Sequence, residues 1–232
     1  MRASLVLLPG LLCDRAVWQP LFGVLRPGHV ADYGPRDSLV AMAEHVLATA
    51  PAGPLAVAGH SMGGRVAFEM LRQAPERIER LALLDTSYHP LAEGEAGDNE
   101  RAGRLALLAT ARRDGMRVMA REWALGMVHP SRHDTPLFEA VLDMFERKTP
   151  DIFAAQITAL LNRPECNELL GTIRCPTLLL CGREDAWSPP SRHEHMHRAI
   201  AGSRLVVVEQ CGHMSTMEQP QEVAQALAGW LG

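Results

Sequence analysis

The stretch Gly59-His60-Ser61-Met62-Gly63-Gly64 decides the fold that this sequence predicts. It follows a short apolar run, Leu55 to Ala58, and leads directly into a stretch with helical spacing, Arg65 to Arg72. A serine in a G-x-S-x-G pattern between a strand and a helix lies on a very sharp turn, which exposes its hydroxyl above the sheet. Gly59 and Gly63 suit that turn because a side chain at either position would collide with its neighbours. The pattern therefore predicts a nucleophilic serine with a positive φ angle.

Short apolar runs on both sides of this motif alternate with amphipathic stretches of helical length. This alternation is typical of a parallel sheet that is buried on both faces. The predicted strands are Ser4 to Leu8, His29 to Tyr33, Leu55 to Ala58, Arg80 to Leu84, Thr177 to Cys181 and Arg204 to Glu209. We therefore predict an α/β fold with a doubly wound, mostly parallel sheet of about six strands.

The fourth and fifth predicted strands are separated by a long segment without any strand pattern. Residues 1–86 and 173–232 are predicted to form the core, and residues 87–172 an inserted helical lid. The predicted lid helices are Asn99 to Arg113, Met116 to Leu125, Thr135 to Thr149 and Asp151 to Leu161. The acidic, glycine-containing segment from Glu93 to Glu100 is predicted to be a mobile entry loop.

A serine hydroxyl is a poor nucleophile at neutral pH and needs a base, which in turn needs a carboxylate to orient it. Asp185 follows the fifth predicted strand and His213 follows the sixth. Because parallel strands end at one edge of the sheet, these groups can converge on Ser61. Asp85, at the end of the fourth predicted strand, is an alternative acid. The sequence thus predicts a catalytic triad of Ser61, His213 and Asp185.

The other histidines are interpreted as structural or solvated. His60 flanks the serine and is expected to point elsewhere. His193, His195 and His197 lie on one predicted helix, which we interpret as a solvated face rather than a metal site. We expect neither a metal nor a cofactor.

An oxyanion that forms during acyl transfer needs two backbone donors. The N–H of Met62, directly after the nucleophile, is the first candidate. The second is expected in the loop Pro9-Gly10-Leu11-Leu12, at the N–H of Leu11. The same residues are also compatible with a simple turn.

Composition excludes several function classes. The 232 residues include 23 basic and 27 acidic ones and have a net charge of -4, so no basic surface for nucleic acid is expected. Only Lys148 is a lysine, which leaves no candidate for Schiff-base chemistry or for a phosphate-binding G-x-x-x-x-G-K-[ST] loop. The five cysteines form an odd set without C-x-x-C spacing, as expected of reduced thiols. Pro9 and Gly10 interrupt the apolar run at the N-terminus, so we expect no signal peptide or membrane span and a cytoplasmic location.

The motifs together resemble the α/β-hydrolase superfamily, in particular its small cofactor-free serine hydrolases with a helical cap. The segments that carry this resemblance are L-V-L-L-P-G, G-H-S-M-G-G, L-L-L-C-G-R-E-D and G-H-M-S-T-M-E-Q-P, in that order. The resemblance implies Ser61 as nucleophile, Asp185 as acid, His213 as base, and the N–H groups of Leu11 and Met62 as oxyanion donors. The chain departs from many relatives in having Pro9 where they have histidine, and in starting almost at once with its central strand.

The leading functional hypothesis is a carboxylesterase-like hydrolysis of a small ester or thioester through an acyl-Ser61 intermediate. A small-molecule substrate and a monomer or homodimer are expected. One alternative is carbon-carbon bond hydrolysis of a dienoate-type ring-fission product. Another is a ligand-binding receptor or scaffold with feeble turnover. Apolar residues of the lid suggest an acyl pocket, although such residues more often pack a lid onto its base, namely Leu105, Leu107, Leu108, Met116, Met119 and Met127. Its arginines could bind an acidic substrate, although a solvated helix face is the favoured interpretation, namely Arg101, Arg104, Arg112, Arg113, Arg117 and Arg121.

Overall fold

The structure, a computed structural model, describes residues 3–232. Its strands are β1 (Ser4–Leu8), β2 (His29–Val30), β3 (Leu55–His60), β4 (Ile78–Leu84), β5 (Thr177–Gly182) and β6 (Arg204–Val208). They form one sheet in the order β2-β1-β3-β4-β5-β6, and every neighbouring pair is parallel. The predicted six-stranded parallel sheet is therefore confirmed.

Burial explains why these runs are strands. Every residue of β3 and of β5 is buried, as expected of central strands that are covered on both faces. The edge strand β6 is partly exposed along most of its length. The apolar pattern therefore located the central strands to within two or three residues, whereas the predicted strand from His29 to Tyr33 is only two residues long.

Helices flank the sheet and fill the connections. Outside the β4 to β5 connection they are α1 (Leu39–Thr49), α2 (Met62–Gln73), α8 (Pro190–Ala199), α9 (Ser215–Glu218) and α10 (Pro220–Leu231). Helix α2 packs against β3 and β4, α8 against β5 and β6, and α10 against β4, β5 and β6. The first turn of α2 thus lies directly after the carboxyl end of β3.

The connection between β4 and β5 contains five helices. They are α3 (Glu95–Asp114), α4 (Met116–Ala124), α5 (Pro136–Glu146), α6 (Pro150–Leu161) and α7 (Asn167–Leu170). The entry loop predicted for Glu93 to Glu100 is wrong, because α3 begins at Glu95. Glu95 and Asp98 lie in the first turn, where acidic side chains are favourable for the helix dipole. A Cβ at Gly97 would lie 1.9 Å from the carbonyl oxygen of Ala92, so this glycine permits close packing rather than marking a loop.

Hydrogen bonds join this helical segment to loops at the carboxyl edge of the sheet. The side-chain oxygen of Gln156 on α6 accepts from the N–H of Leu12 at 2.8 Å. The carbonyl oxygen of Met127 accepts from the N–H of His213 at 2.7 Å. The segment therefore contacts the loops that carry the predicted oxyanion donor and the predicted base. That residues 87–172 form a separate lid stays a prediction.

All five cysteines are free thiols. Burial raises the pKa of Cys13 to about 12 and the pKa of Cys166 to about 11. These thiols are therefore protonated and weakly nucleophilic at neutral pH. Within residues 3–232 there is no helix of the length and apolarity that crossing a bilayer requires.

Candidate active site

Ser61 lies on the sharp turn between β3 and α2. Its φ angle is 54° and its ψ angle -116°, a conformation that is strained for a residue with a side chain. The turn leaves no room for a side chain at Gly59 or Gly63. A Cβ at Gly63 would lie 2.0 Å from the carbonyl oxygen of Leu8, and one at Gly59 would lie 2.4 Å from that of Gly63. The two glycines therefore allow the backbone contacts that hold the Ser61 side chain at the top of the sheet.

Ser61, His213 and Asp185 form a continuous hydrogen-bonded chain. The Oγ of Ser61 lies 2.8 Å from Nε2 of His213, and Nδ1 of His213 lies 2.8 Å from Oδ2 of Asp185. Both His213 and Asp185 are buried. The structure thus brings together three side chains that are 152 and 28 positions apart in the sequence.

The loops that follow β5 and β6 determine this geometry. The Oδ1 of Asp185 accepts hydrogen bonds from the backbone N–H groups of Trp187 and Ser188, both at 2.9 Å, which leaves Oδ2 for the imidazole. Burial alone would raise the pKa of Asp185, but the nearby His213 and these N–H groups outweigh it and lower the pKa. Asp185 is therefore ionised and fixes the orientation of the ring.

The pKa of His213 depends on its burial and on its contact with Asp185. Burial by itself would lower the pKa of His213, because a charged ring loses its hydration. The carboxylate of Asp185 outweighs that effect, so the pKa of His213 is raised above its ordinary value of 6.5. The ring is thereby made a stronger base than a free histidine.

Asp85, the alternative acid, is buried near Asp185 but has other hydrogen-bond partners. Its carboxylate accepts hydrogen bonds from the N–H of Gly182 and from the hydroxyl of Ser215. Burial, together with the nearby Asp185, raises the pKa of Asp85 well above its ordinary value. Its hydrogen bonds go to the two loops that carry the acid and the base, and none goes to the His213 ring. This geometry favours Asp185 as the acid.

His60 points away from the Ser61 hydroxyl and supports the base from below. Its Nε2 lies 2.8 Å from the carbonyl oxygen of His213, and the two rings are 5.5 Å apart. Burial and the neighbouring His213 lower the pKa of His60 to about 3. His60 is therefore a neutral donor to the His213 backbone.

The loop after β1 lies against the cavity in front of Ser61. Leu11 lines that cavity, and its neighbour Leu12 has a φ angle of 60° and donates its N–H to Gln156. The carbonyl oxygen of Pro9 accepts a hydrogen bond from the Tyr33 hydroxyl at 3.0 Å. Met62 is the first residue of α2, where N–H groups have no acceptor within the helix. Leu11 and Met62 thus both line the cavity in front of Ser61.

The cavity has a volume of about 500 Å³ and an apolar side and a charged side. The apolar side is formed by Leu107, Trp123, Met127, Phe145, Leu160 and Trp187. Of the six lid residues suggested for an acyl pocket, only Leu107 and Met127 line it, whereas Leu105 is half exposed on the outside. Of the six lid arginines, only Arg104 reaches it.

Three residues at this site were not predicted from the sequence, and one was predicted in the wrong environment. Arg65 lines the cavity from the first turn of α2, four positions after Ser61, and no motif in the sequence identifies it. Trp187 stacks on Trp123 and contacts the His213 ring, but it carries no motif. Gln156 is 144 positions from its partner, so no local signal exists. His193 is fully buried and accepts from the N–H of Thr86, so the predicted solvated face is wrong for His193, whereas His195 and His197 are exposed as predicted.

Known proteins resemble this chain over nearly its whole length. A family model described as the alpha/beta hydrolase family matches residues 5–226. A pimeloyl-(acyl-carrier protein) methyl ester esterase of Neisseria meningitidis serogroup B is 28% identical over 210 residues, which cover 90% of this chain and 81% of that protein. The enzyme of the same name from Nitrosomonas europaea is 28% identical and covers 94% of this chain and 92% of that protein.

Solved structures of hydrolases also match this chain over nearly its whole length. A thermophilic esterase from Thermogutta terrifontis is 30% identical and superposes with a TM-score of 0.84, covering 99% of this chain and 89% of that chain. A hydrolase from Pseudomonas aeruginosa is 25% identical with a TM-score of 0.83, covering 100% and 90% of the two chains. The predicted α/β-hydrolase fold and the predicted hydrolase class are both confirmed. With a family match across almost all of its residues, the chain belongs to the alpha/beta hydrolase family.

Proposed function

We propose that Ser61, His213 and Asp185 form the catalytic triad of an esterase that hydrolyses small carboxylic esters through an acyl-Ser61 intermediate. The observation that carries the proposal is the pair of 2.8 Å contacts that join the Ser61 hydroxyl to His213 and His213 to Asp185. A hydroxyl, a base and an orienting carboxylate in this geometry are the groups that nucleophilic acyl transfer needs.

The first half of the reaction acylates the enzyme. Oγ of Ser61 attacks the ester carbonyl carbon while Nε2 of His213 takes the hydroxyl proton. The resulting imidazolium is stabilised by the Asp185 carboxylate, which stays ionised. When the carbon-oxygen bond to the alcohol breaks, His213 returns the proton to the leaving oxygen. The alcohol departs and the acyl group remains on Ser61.

The second half repeats these steps with water. Neutral His213 removes a proton from a water molecule, whose oxygen attacks the acyl carbon, and the proton then goes to Oγ of Ser61. In both halves the carbonyl oxygen becomes an oxyanion. We assign its stabilisation to the backbone N–H groups of Leu11 and Met62. The loss of one such donor typically lowers kcat by ~100- to 1000-fold.

We propose that residues 87–172 form a lid that closes the site from above. The support is that Leu107, Trp123, Met127, Phe145 and Leu160 from this segment form most of the apolar side of the cavity. A water-poor wall strengthens the electrostatic contacts below it. The lid therefore sets the size and polarity of the substrate, while the core supplies the reacting groups.

The comparisons support an ester as the substrate. Relatives named as methyl ester esterases and a structure named as an esterase cover most of this chain. A cavity of about 500 Å³ suits a small molecule. The buried, protonated thiols are compatible with the cytoplasm, where we place the enzyme as a monomer or homodimer.

A fluorophosphonate probe tests the nucleophile, and p-nitrophenyl esters of increasing acyl length test the activity. Wild-type protein should be labelled and should turn over the esters. Ser61→Ala should lose labelling, and Ser61→Ala or His213→Ala should lower kcat by ~10^4-fold or more. Ser191→Ala, which changes an exposed serine outside the cavity, serves as the labelling control. Labelling that persists in Ser61→Ala would overturn the proposal.

A further inference from the structure

The wall of the cavity beside Ser61 carries an excess of positive charge. Four arginines line the cavity, and Glu100 is the only acidic side chain among the described residues that do so. The four, which we call the arginine cluster, are Arg65, Arg104, Arg163 and Arg192. Even with Glu100 ionised, positive charges exceed negative ones in this wall.

The single carboxylate is already occupied. Both oxygens of Glu100 accept from Arg163 at 2.7 Å, and one also accepts from Arg104. Although burial opposes ionisation, these guanidinium groups lower the pKa of Glu100 to about 2. Across residues 3–232, Arg65 and Arg192 form no ion pair with any carboxylate. Two guanidinium groups of the cluster are thus left without a countercharge.

Of these two arginines, Arg65 has the greater need of a countercharge, because only 9% of its surface is exposed. It donates one hydrogen bond to the carbonyl oxygen of His89 at 2.9 Å, and Arg163 donates to the same oxygen at 3.2 Å. Burial, and then the charge of Arg163, lower the pKa of Arg65 to about 9. A buried charge without a partner is costly, and a second like charge beside it adds to that cost. An anion in the cavity would remove both penalties.

The position of Arg65 relates this charge to the reaction. It lies on the first turn of α2, four residues after Ser61, and both residues line the same cavity. Arg192 reaches this cavity from α8, where it donates to the carbonyl oxygen of Trp187 at 2.9 Å. The unpaired charges therefore border the cavity into which the Ser61 hydroxyl opens.

We propose that the arginine cluster is a carboxylate-binding subsite, and that the preferred substrates are half-esters of short dicarboxylic acids. This inference rests on the proposed esterase function. The planar guanidinium of Arg65 binds the free carboxylate, with Arg163 and Arg192 around it. A fork of two N–H groups matches the two oxygens of a carboxylate, and such charge-assisted bonds are stronger than neutral ones. Water cleaves the ester bond of the half-ester, which gives the dicarboxylate and the alcohol.

Binding can be measured without turnover. In the Ser61→Ala protein, isothermal titration with glutarate, dimethyl glutarate and inorganic phosphate separates the possible ligands. Glutarate is expected to bind, while dimethyl glutarate, which has no free carboxylate, should bind at least ~10-fold more weakly. Binding of phosphate with none of glutarate would overturn the carboxylate assignment. Equal binding of glutarate and dimethyl glutarate would overturn the subsite.

Measurements of turnover test the preference for half-esters over neutral esters. The monomethyl esters of succinate, glutarate and adipate are compared with methyl esters of monocarboxylic acids of the same chain length. The ratio of kcat/KM for the best half-ester to that for its neutral match should be ~10 or more. Arg65→Met and Arg192→Met should each lower this ratio toward one, chiefly through KM. Arg101→Met, on the exposed face of α3 outside the cavity, should keep it.

The outcomes separate this inference from the proposed function. If all esters are hydrolysed with a ratio near one, the esterase stands and the subsite is wrong. If glutarate binds to the Ser61→Ala protein but wild type hydrolyses no ester, the subsite stands and the proposed function is wrong. Should Arg65→Met fold poorly, Arg192→Met gives the same comparison from a more exposed position.

Discussion

The side-chain oxygen of Gln156 accepts a hydrogen bond from the backbone N–H of Leu12 at 2.8 Å. Gln156 is buried on α6, and Leu12 has a positive φ angle in the loop after β1. This bond fixes the residue next to Leu11, whose own N–H we assign to the oxyanion. Gln156 is therefore a positioning residue that acts through the loop backbone.

Replacing Gln156 by methionine should keep its volume but remove the acceptor. The N–H of Leu12 is then buried without a partner, which costs ~1 to 3 kcal/mol, and the loop can shift to relieve it. We expect kcat for p-nitrophenyl esters to fall by ~10- to 100-fold with KM little changed, since an oxyanion contact acts in the transition state. Thr158→Ala, on the same helix with a hydroxyl that bonds only within it, is the control. A change in KM alone would contradict the positioning role.

The two buried aspartates should respond differently to the same substitution. Asp185→Asn removes the charge that stabilises the imidazolium and should lower kcat by ~10^3-fold. Asp85→Asn keeps an oxygen acceptor for Gly182 and removes a group that does not bond to the His213 ring, so a loss below ~10-fold is expected. Kinetics of both variants, with thermal melting to confirm folding, decide the matter. A greater loss in Asp85→Asn would move the acid role to Asp85.

The pH profile should report the raised pKa of His213. Only the neutral ring can accept the Ser61 proton, so kcat/KM should fall as pH falls through this pKa, with its midpoint above 6.5. In Asp185→Asn the carboxylate that raises the pKa is gone and the opposing effect of burial remains. The acid limb of the residual activity should therefore move to lower pH. A limb that stays in place would mean that another group titrates.

The strands and the convergence of Ser61, His213 and Asp185 were predictable because the motifs that carry them are local. β3 and β5 are unbroken apolar runs that end in glycine or polar residues, the loop after β5 carries Glu184 and Asp185, and the loop after β6 carries His213. The start of α3 was missed because its first two turns, from Glu95 to Arg101, contain no leucine, isoleucine, valine or methionine that could reveal helical spacing. The burial of His193 depends on contacts with Thr86, 107 positions away, which no spacing in the sequence indicates.

His193 should make the stability depend on pH. Burial lowers its pKa to about 4 in the folded protein, against an ordinary 6.5, so unfolding takes up a proton between these values. This histidine therefore destabilises the folded state increasingly as pH falls from 6.5 to 4 and has no such effect above 6.5. In His193→Gln the free energy of unfolding should fall less steeply, by up to about 1.4 kcal/mol per pH unit near pH 5. Urea titrations between pH 4 and 7 give both slopes, and parallel slopes would contradict the prediction.

Two glycine substitutions should have opposite effects on stability. Gly63→Ala would place a Cβ 2.0 Å from the carbonyl oxygen of Leu8, so the backbone around Ser61 must shift and the protein should lose several kcal/mol or fail to fold. Gly103→Ala, on the exposed face of α3 with nothing near the new Cβ, should gain ~0.5 to 1 kcal/mol. Thermal melting of the two variants provides the comparison. A stable, active Gly63→Ala protein would contradict the proposed backbone packing.

The hydrogen bond between the Met127 carbonyl and the His213 N–H couples the helical segment to His213. The N–H of His129 is held in a similar way by the buried Glu218, whose other oxygen accepts from the N–H groups of Gly212 and Met214 on either side of His213. An outward movement of residues 127–129 would therefore break contacts that hold the imidazole beside Ser61. If the proposed lid moves when substrate enters, we expect its outer helices to shift while residues 127–129 stay fixed.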